Sequence, residues 1–124
     1  MARENRKVTP REIRQHAKEV YSQSWKIHYD GAQCGFETSS QEDAVLYDLE
    51  VPEQVQNQGI GTAMVKAAEK IVKEETEAEV LYAQIGASND STRHVLKHKC
   101  GFQITGEYYK EELGKIIDAM KKLD

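Results

Sequence analysis

The chain has 124 residues, enough for one domain around one core and too few for two. Charged residues make up 31% and hydrophobic ones 39%, a globular balance, and 17 Lys plus Arg against 21 Asp plus Glu leave a net charge of -4, which argues against a general binder of nucleic acid. Cys34 and Cys100 make no disulfide framework, no apolar run approaches the ~18 residues of a membrane span, and the first residues lack the apolar region of a signal peptide, so the expected location is cytoplasmic, with no membrane partner.

Residues 1–8 read as a flexible polar lead and 9–124 as the folded domain. Thr9, Pro10 and Glu12 form a capping-box pattern that opens a helix. Ile13, Ala17, Val20 and Tyr21 fall on one face of that helix, which is expected to run to Ser22–Ser24. Residues 25–29 alternate as a strand, Asp30-Gly31 is a two-residue hairpin signal, and 32–38 make the return strand, with a bulge expected at Gly35. A third strand spans 44–51 and stops at Pro52. A helix from Ile60 or Gly61 to Glu75 carries the stripe Ile60, Met64, Ala67, Ala68, Ile71 and Val72. The apolar run 80–85 reads as a strand buried on both faces. Asn89 lies in the cap of a further helix that Gly101 ends. A strand over 102–109 and a final helix over 110–123, with Leu113, Ile116, Ile117, Met120 and Leu123 on one face, complete the chain. The expected fold is one α/β domain of the α+β type.

The segment Gln56-Asn57-Gln58-Gly59-Ile60-Gly61-Thr62 joins the third strand to the long helix. Glycines at a helix N-terminus let an anion approach bare backbone amides, and the helix dipole adds partial positive charge there. The dinucleotide fingerprint needs a third glycine where Met64 stands, and the P-loop needs Gly-Lys-Ser/Thr, whereas Thr62 and Ala63 follow Gly61. A plain strand-to-helix turn, with glycines for tight packing, also fits these residues.

The remaining pattern, Gln56-x-x-Gly59-x-Gly61, resembles the acyl-CoA pyrophosphate loop of the GNAT superfamily of N-acetyltransferases. The run Asn89-x-x-Thr92-x-x-Val95-Leu96 leading to Gly101-Phe102 is similar to a second motif of that family, and the order of elements from Thr9 to Tyr109 looks like its domain. The resemblance implies a mixed, mostly antiparallel sheet with helices on both faces. Here a C-terminal helix is expected in place of a last strand, which would leave an edge for a partner and makes a homodimer plausible. The stretch between Asn89 and Gly101 is one residue longer than the family's usual spacing.

The resemblance also implies a function, an N-acetyltransferase that moves the acetyl group of acetyl-CoA onto a primary amine by direct attack in a ternary complex, without metal. The backbone amides of Gln58, Gly59, Ile60, Gly61 and Thr62 would hold the CoA diphosphate, and Gln56 would shape the loop. Main-chain groups of Leu49 to Val51 would pair with pantetheine, and the Val51 N–H would polarise the thioester carbonyl. Asn89 would bond the pantetheine amide, or serve only as a helix cap. Asp48 and Glu50, expected on one face opposite Tyr47 and Leu49, are the candidate bases. The family's usual acid is a tyrosine seven residues after the motif's Asn, where this chain has Leu96 or Lys97. Tyr108, Tyr109 or His98 would substitute, or water would protonate the thiolate. The basic run 93–99 suits a solvated helix face, the 3′-phosphate of CoA, or nucleic acid, the last being disfavoured by the overall charge. The absent tyrosine and missing strand motivate an alternative, a non-catalytic GNAT-like module that binds CoA or a protein.

Overall fold

The computed structural model describes residues 7–86, 90–112 and 114–124, and of Gln56, Asn57, Asp90 and Ser91 the backbone only. The capping box forms as its residues dictate: the Glu12 N–H donates to Thr9 Oγ1 at 3.2 Å and the Thr9 N–H to Glu12 Oε1 at 3.4 Å. The helix they start, α1, covers only Pro10–Arg14, and the chain then straightens into β1, Ala17–Tyr21. The longer helix expected to Ser22–Ser24 is thus corrected. Only Ile13 of its proposed stripe is buried, while Val20 and Tyr21 stand 44% and 79% exposed on an edge strand paired with β2.

The next elements follow the sequence closely. β2 spans Ser24–Tyr29 and β3 spans Ala32–Thr38. Asp30 and Gly31 turn between them with φ of 52° and 84°, the two positive values that a tight two-residue hairpin needs. β4 is Asp43–Glu50, a 3₁₀-helix covers Glu53–Gln58, and α2 runs Ile60–Glu75. Its six stripe residues are all buried, as are Ala63 and Val65. β5 is Val80–Gly86 and is covered on one face only: Leu81, Ala83 and Ile85 are buried while Tyr82, Gln84 and Gly86 are exposed. This corrects the expectation of burial on both faces.

α3, Asp90–His94, continues into a π-helical turn over Val95–Lys99, closed by the Cys100 N–H on the Val95 carbonyl at 3.0 Å. Gly101, at φ 76°, then ends it, with the Phe102 N–H on the Leu96 carbonyl.

β6 spans Gln103–Lys110, and Gly114–Lys122 is a strand, β7, where a C-terminal helix was expected. The spacing of Ile116, Ile117 and Met120 satisfies either period, but Gly114 turns at φ 77° and starts a hairpin return that pairs with β6 on one side and β5 on the other. Seven strands therefore form one sheet in the order β1-β2-β3-β4-β5-β7-β6, antiparallel throughout except for β4 beside β5. With that strand in place no last strand is missing, and the edges of the sheet are β1 and β6.

The helices are also not divided between both faces. α2 packs with α1 and the π turn on one face, over a core that includes Ile27, Phe36, Leu46, Leu81, Ile85 and Leu96. Residues that alternate away from it, such as Val45, Tyr47, Tyr82, Gln84 and Asp118, are half-buried or exposed, so among the described residues the opposite face carries no helix. Arg14 clips α1 to the end of α2 by two bonds to the Glu74 carboxylate, of 3.1 and 2.5 Å. No described helix is long and apolar enough to cross a membrane.

Both thiols sit in the core. Burial pushes Cys34 up to about 12 and Cys100 up to about 11, the latter against the pull of Lys66 and Lys121. Native protein is expected to leave Ellman's reagent unreacted at pH 8 and to titrate both thiols once denatured. The folded chain keeps these protons at pH values where unfolded thiols, near 9.0, lose them. Their contribution to stability is therefore complete below pH 9 and is lost as pH rises towards about 12. Rapid native labelling of either thiol would contradict this burial.

Candidate active site

β4 and β5 run side by side only as far as the pair Tyr47 and Gln84. Beyond it β4 continues to Glu50 against β3, and β5 continues to Gly86 against β7, so the two central strands part and leave a wedge between them. Parallel strands that separate expose main-chain donors and acceptors on both inner edges.

A bulge aims β4 at this wedge. Gln33 faces Glu50 and Gly35 faces Tyr47, so Asp48 and Leu49 together oppose Cys34. Asp48 takes φ 53° to accommodate the extra residue. The alternation changes phase there: Leu46 and Leu49, three apart, are both buried. Asp48 and Glu50 share one side of β4, as expected, and are exposed there on the helix-free face, but Tyr47 shares that side rather than opposing them. The bulge thus lies on β4, not at Gly35. Gly35 answers to a different need, because an added Cβ would sit 2.6 Å from the Tyr47 ring that lies over it. Tyr47 is held protonated to higher pH by burial and then by the Glu37 charge. Lys26, His28, Gln33 and Asp48 line a small cleft of about 30 Å³ beside it, and Gln33 Nε2 donates to Glu50 Oε2 at 3.4 Å.

Beyond β5, the outer strand β6 carries Tyr108. Gln84 Nε2 donates to its hydroxyl at 2.9 Å, and the hydroxyl donates to Asp118 Oδ1 at 3.4 Å. Asp48, Glu50 and Tyr108 therefore lie on one face of the sheet, on strands either side of the parting. Tyr109, by contrast, is 76% exposed. His98 lies in the π turn with its ring 5.1 Å from that of His94, and Arg93 pairs with Glu107 at 3.3 Å. Gln84, Asp118 and Tyr47 are residues that sequence reasoning missed. Gln84 was legible as the one polar break in an apolar run, whereas Asp118 was hidden by the helical reading of its segment.

The glycine loop closes the end of β4 on the helix side. Gly59 adopts φ 74°, which a residue with Cβ rarely takes. The first intrahelical bond of α2 runs from the Ala63 N–H to the Gly59 carbonyl at 3.0 Å, so the amides of Ile60, Gly61 and Thr62 precede the helical ladder. An added Cβ on Gly61 would meet Val51 Cγ2 at 3.3 Å and Val95 Cγ2 at 3.9 Å, which places the loop against the end of β4 and the π turn. The N-terminal segment crosses the same loop: the Val8 N–H donates to the Gln58 carbonyl at 2.9 Å, and the Lys7 side chain passes over Gly59. Leu49 is buried, and Val51 half-buried. The backbone at Gln56 belongs to the 3₁₀-helix, and Asn89 lies outside the described residues.

Comparison with known proteins agrees on the family. The model of the Acetyltransferase (GNAT) family matches residues 10–102. No curated protein sequence matches. Among solved structures, the Ard1 protein of Thermoplasma volcanium superposes with a TM-score of 0.66 at 17% identity, over 96% of each chain. A GNAT family acetyltransferase of Elizabethkingia anophelis, solved with acetyl-CoA bound, gives 0.60 at 18% identity, over 91% of this chain and 80% of that one. The GNAT family acetyltransferase of Streptococcus pneumoniae gives 0.65 at 14%, over 85% and 70%. At these identities the likeness is one of fold.

Proposed function

Because the chain belongs to the acetyltransferase (GNAT) family, we propose that it transfers the acetyl group of acetyl-CoA to a primary amine by direct attack within a ternary complex. The observation that carries this reading is the parting of β4 and β5 after Tyr47 and Gln84. The glycine loop lies at one side of that gap and the candidate proton-transfer groups at the other.

Acetyl-CoA would enter from the helix side. Its diphosphate would take the amides of Gln58, Gly59, Ile60, Gly61 and Thr62 at the start of α2, with Gln56 opening the loop. Pantetheine would lie along the main chain of Leu49 to Val51 as an added strand, with Asn89 on its amide. The Val51 N–H would face the oxyanion formed when the amine attacks the carbonyl carbon. Asp48, thrown outward by the bulge, would take the proton of the attacking ammonium, with Glu50 the alternative base. Tyr108 would return a proton to the departing CoA thiolate. The N–C bond forms as the C–S bond breaks, and the products are an amide and CoA thiol.

Isothermal titration with acetyl-CoA, followed by thiol release over a panel of amines, tests this reading. Wild-type protein is expected to bind and turn over. Asp48→Ala is expected to lower kcat about 100-fold or more while the acetyl-CoA Kd stays unchanged. Binding without thiol release from any amine would remove the transferase function.

A further inference from the structure

On the helix-free face, a groove of about 450 Å³ lies over the paired part of β4 and β5 and over β7 and β6, and reaches the apex of the wedge at Gln84. Its volume lies in the range of small-molecule sites, and it is broadly open to solvent. Val45, Tyr82, Gln84, Thr105 and Asp118 line it, and among the described residues no Lys or Arg does. The one carboxylate there, Asp118, is half-buried and anchored by the Tyr108 hydroxyl. The phenol ring of Tyr82 offers a cation a second attractive surface. The charged side chain lining the groove is thus a carboxylate, which favours a cation over an anion there.

Position adds a length requirement. Asp118 pairs with Gln84 across β5, and Gln84 pairs with Tyr47 of β4. The carboxylate-bearing strand thus stands two strand spacings, roughly 10 Å, from β4. A short alkyl chain would connect a group held at Asp118 with an amine reacting beside Asp48 on β4.

We propose that this groove is the acceptor site and that Asp118 positions the acceptor by binding its second, non-reacting ammonium, so that the preferred substrates are short aliphatic diamines. This rests on the acetyl-transfer reading above. Asp118 would bind the distal charge, an effect on KM that distinguishes diamines from monoamines, whereas its bond to Tyr108 would affect both alike. In Asp118→Asn the amide oxygen still accepts from Tyr108, so the network survives while the charge is lost.

The test compares putrescine with butylamine, which has the same carbon chain and one charge. Wild-type protein is expected to favour putrescine at least about tenfold in kcat/KM, through KM. Asp118→Asn is expected to abolish that preference by raising the putrescine KM about tenfold or more relative to the butylamine KM, with any change in kcat common to both amines, and to be rescued in part by Asp118→Glu. Equal use of the two amines, or a preference that survives Asp118→Asn, overturns the diamine assignment and leaves acetyl transfer standing. If no amine is turned over, calorimetric titration of putrescine into the CoA-loaded protein decides the question. Binding lost in Asp118→Asn supports the groove assignment without the transferase reading, and no binding overturns it.

Discussion

Gly61→Asp is expected to weaken acetyl-CoA binding about 100-fold or more while changing the melting temperature by only a few degrees. The backbone at this position faces the start of α2, where three amides precede the helical ladder. A carboxylate there bonds to those amides itself and repels the diphosphate. Like charges brought together at a binding site cost several kcal/mol, and ~3 kcal/mol is already about 100-fold in Kd. Stability changes little because two effects oppose each other. The new Cβ crowds Val51 at 3.3 Å, but a negative charge at a helix N-terminus contributes about 0.3–1 kcal/mol. Isothermal titration beside a thermal melt separates the two quantities. A Kd within threefold of wild type would mean that these amides do not carry the phosphates.

Phe36→Ala is expected to cost about 3–5 kcal/mol of stability. Phe36 is fully buried at the middle of β3, stacked on Trp25 with ring centroids 5.4 Å apart and planes at 15°. It is also the cross-strand partner of Leu46 on β4. Truncation removes the ring from a site walled by two strands and α2, which cannot collapse to fill it. A domain of this kind holds about 5–15 kcal/mol in total, so the variant retains little margin and melts about 10 °C lower or more. Urea unfolding followed by the fluorescence of Trp25, the only tryptophan, measures the change. A loss below 1 kcal/mol would place the centre of the core elsewhere.

The elements that the sequence disclosed are those whose local signals agree with one another. Asp30-Gly31 demanded a tight hairpin, Thr9 and Glu12 a capped helix start, Gly59 and Gly61 a close backbone turn, and the stripe from Ile60 to Val72 a helix with one buried side. The elements that were misread carry two-fold patterns. Ala17, Val20 and Tyr21 fit a helical face, yet as β1 they lie along an edge where packing against β2 outweighs periodicity. Ile116 and Ile117 are adjacent, so they serve a helix stripe or the two faces of a strand equally well. Only Gly114, unwelcome inside a helix, marked the turn. That misreading also concealed the groove, since Asp118 meets Gln84 and Tyr108 only when residues 114–122 are a strand. The Asp48 bulge left no trace in composition. It is visible only as the misfit between Leu46 and Leu49, both of which the core claims.

The sole parallel join of the sheet, β4 to β5 by way of α2, decides which face of the sheet is left bare. A strand–helix–strand crossover between neighbouring parallel strands turns right-handed in nearly all proteins, because L-residues twist strands and coil helices in that sense. Once β5 sits beside β4 on the side away from β3, that hand leaves α2 a single face to cover. The bare face is therefore not selected by the polar residues that populate it. Backbone chirality assigns it, and Asp118, Gln84 and Tyr108 occupy a side that was vacant before any of them was chosen.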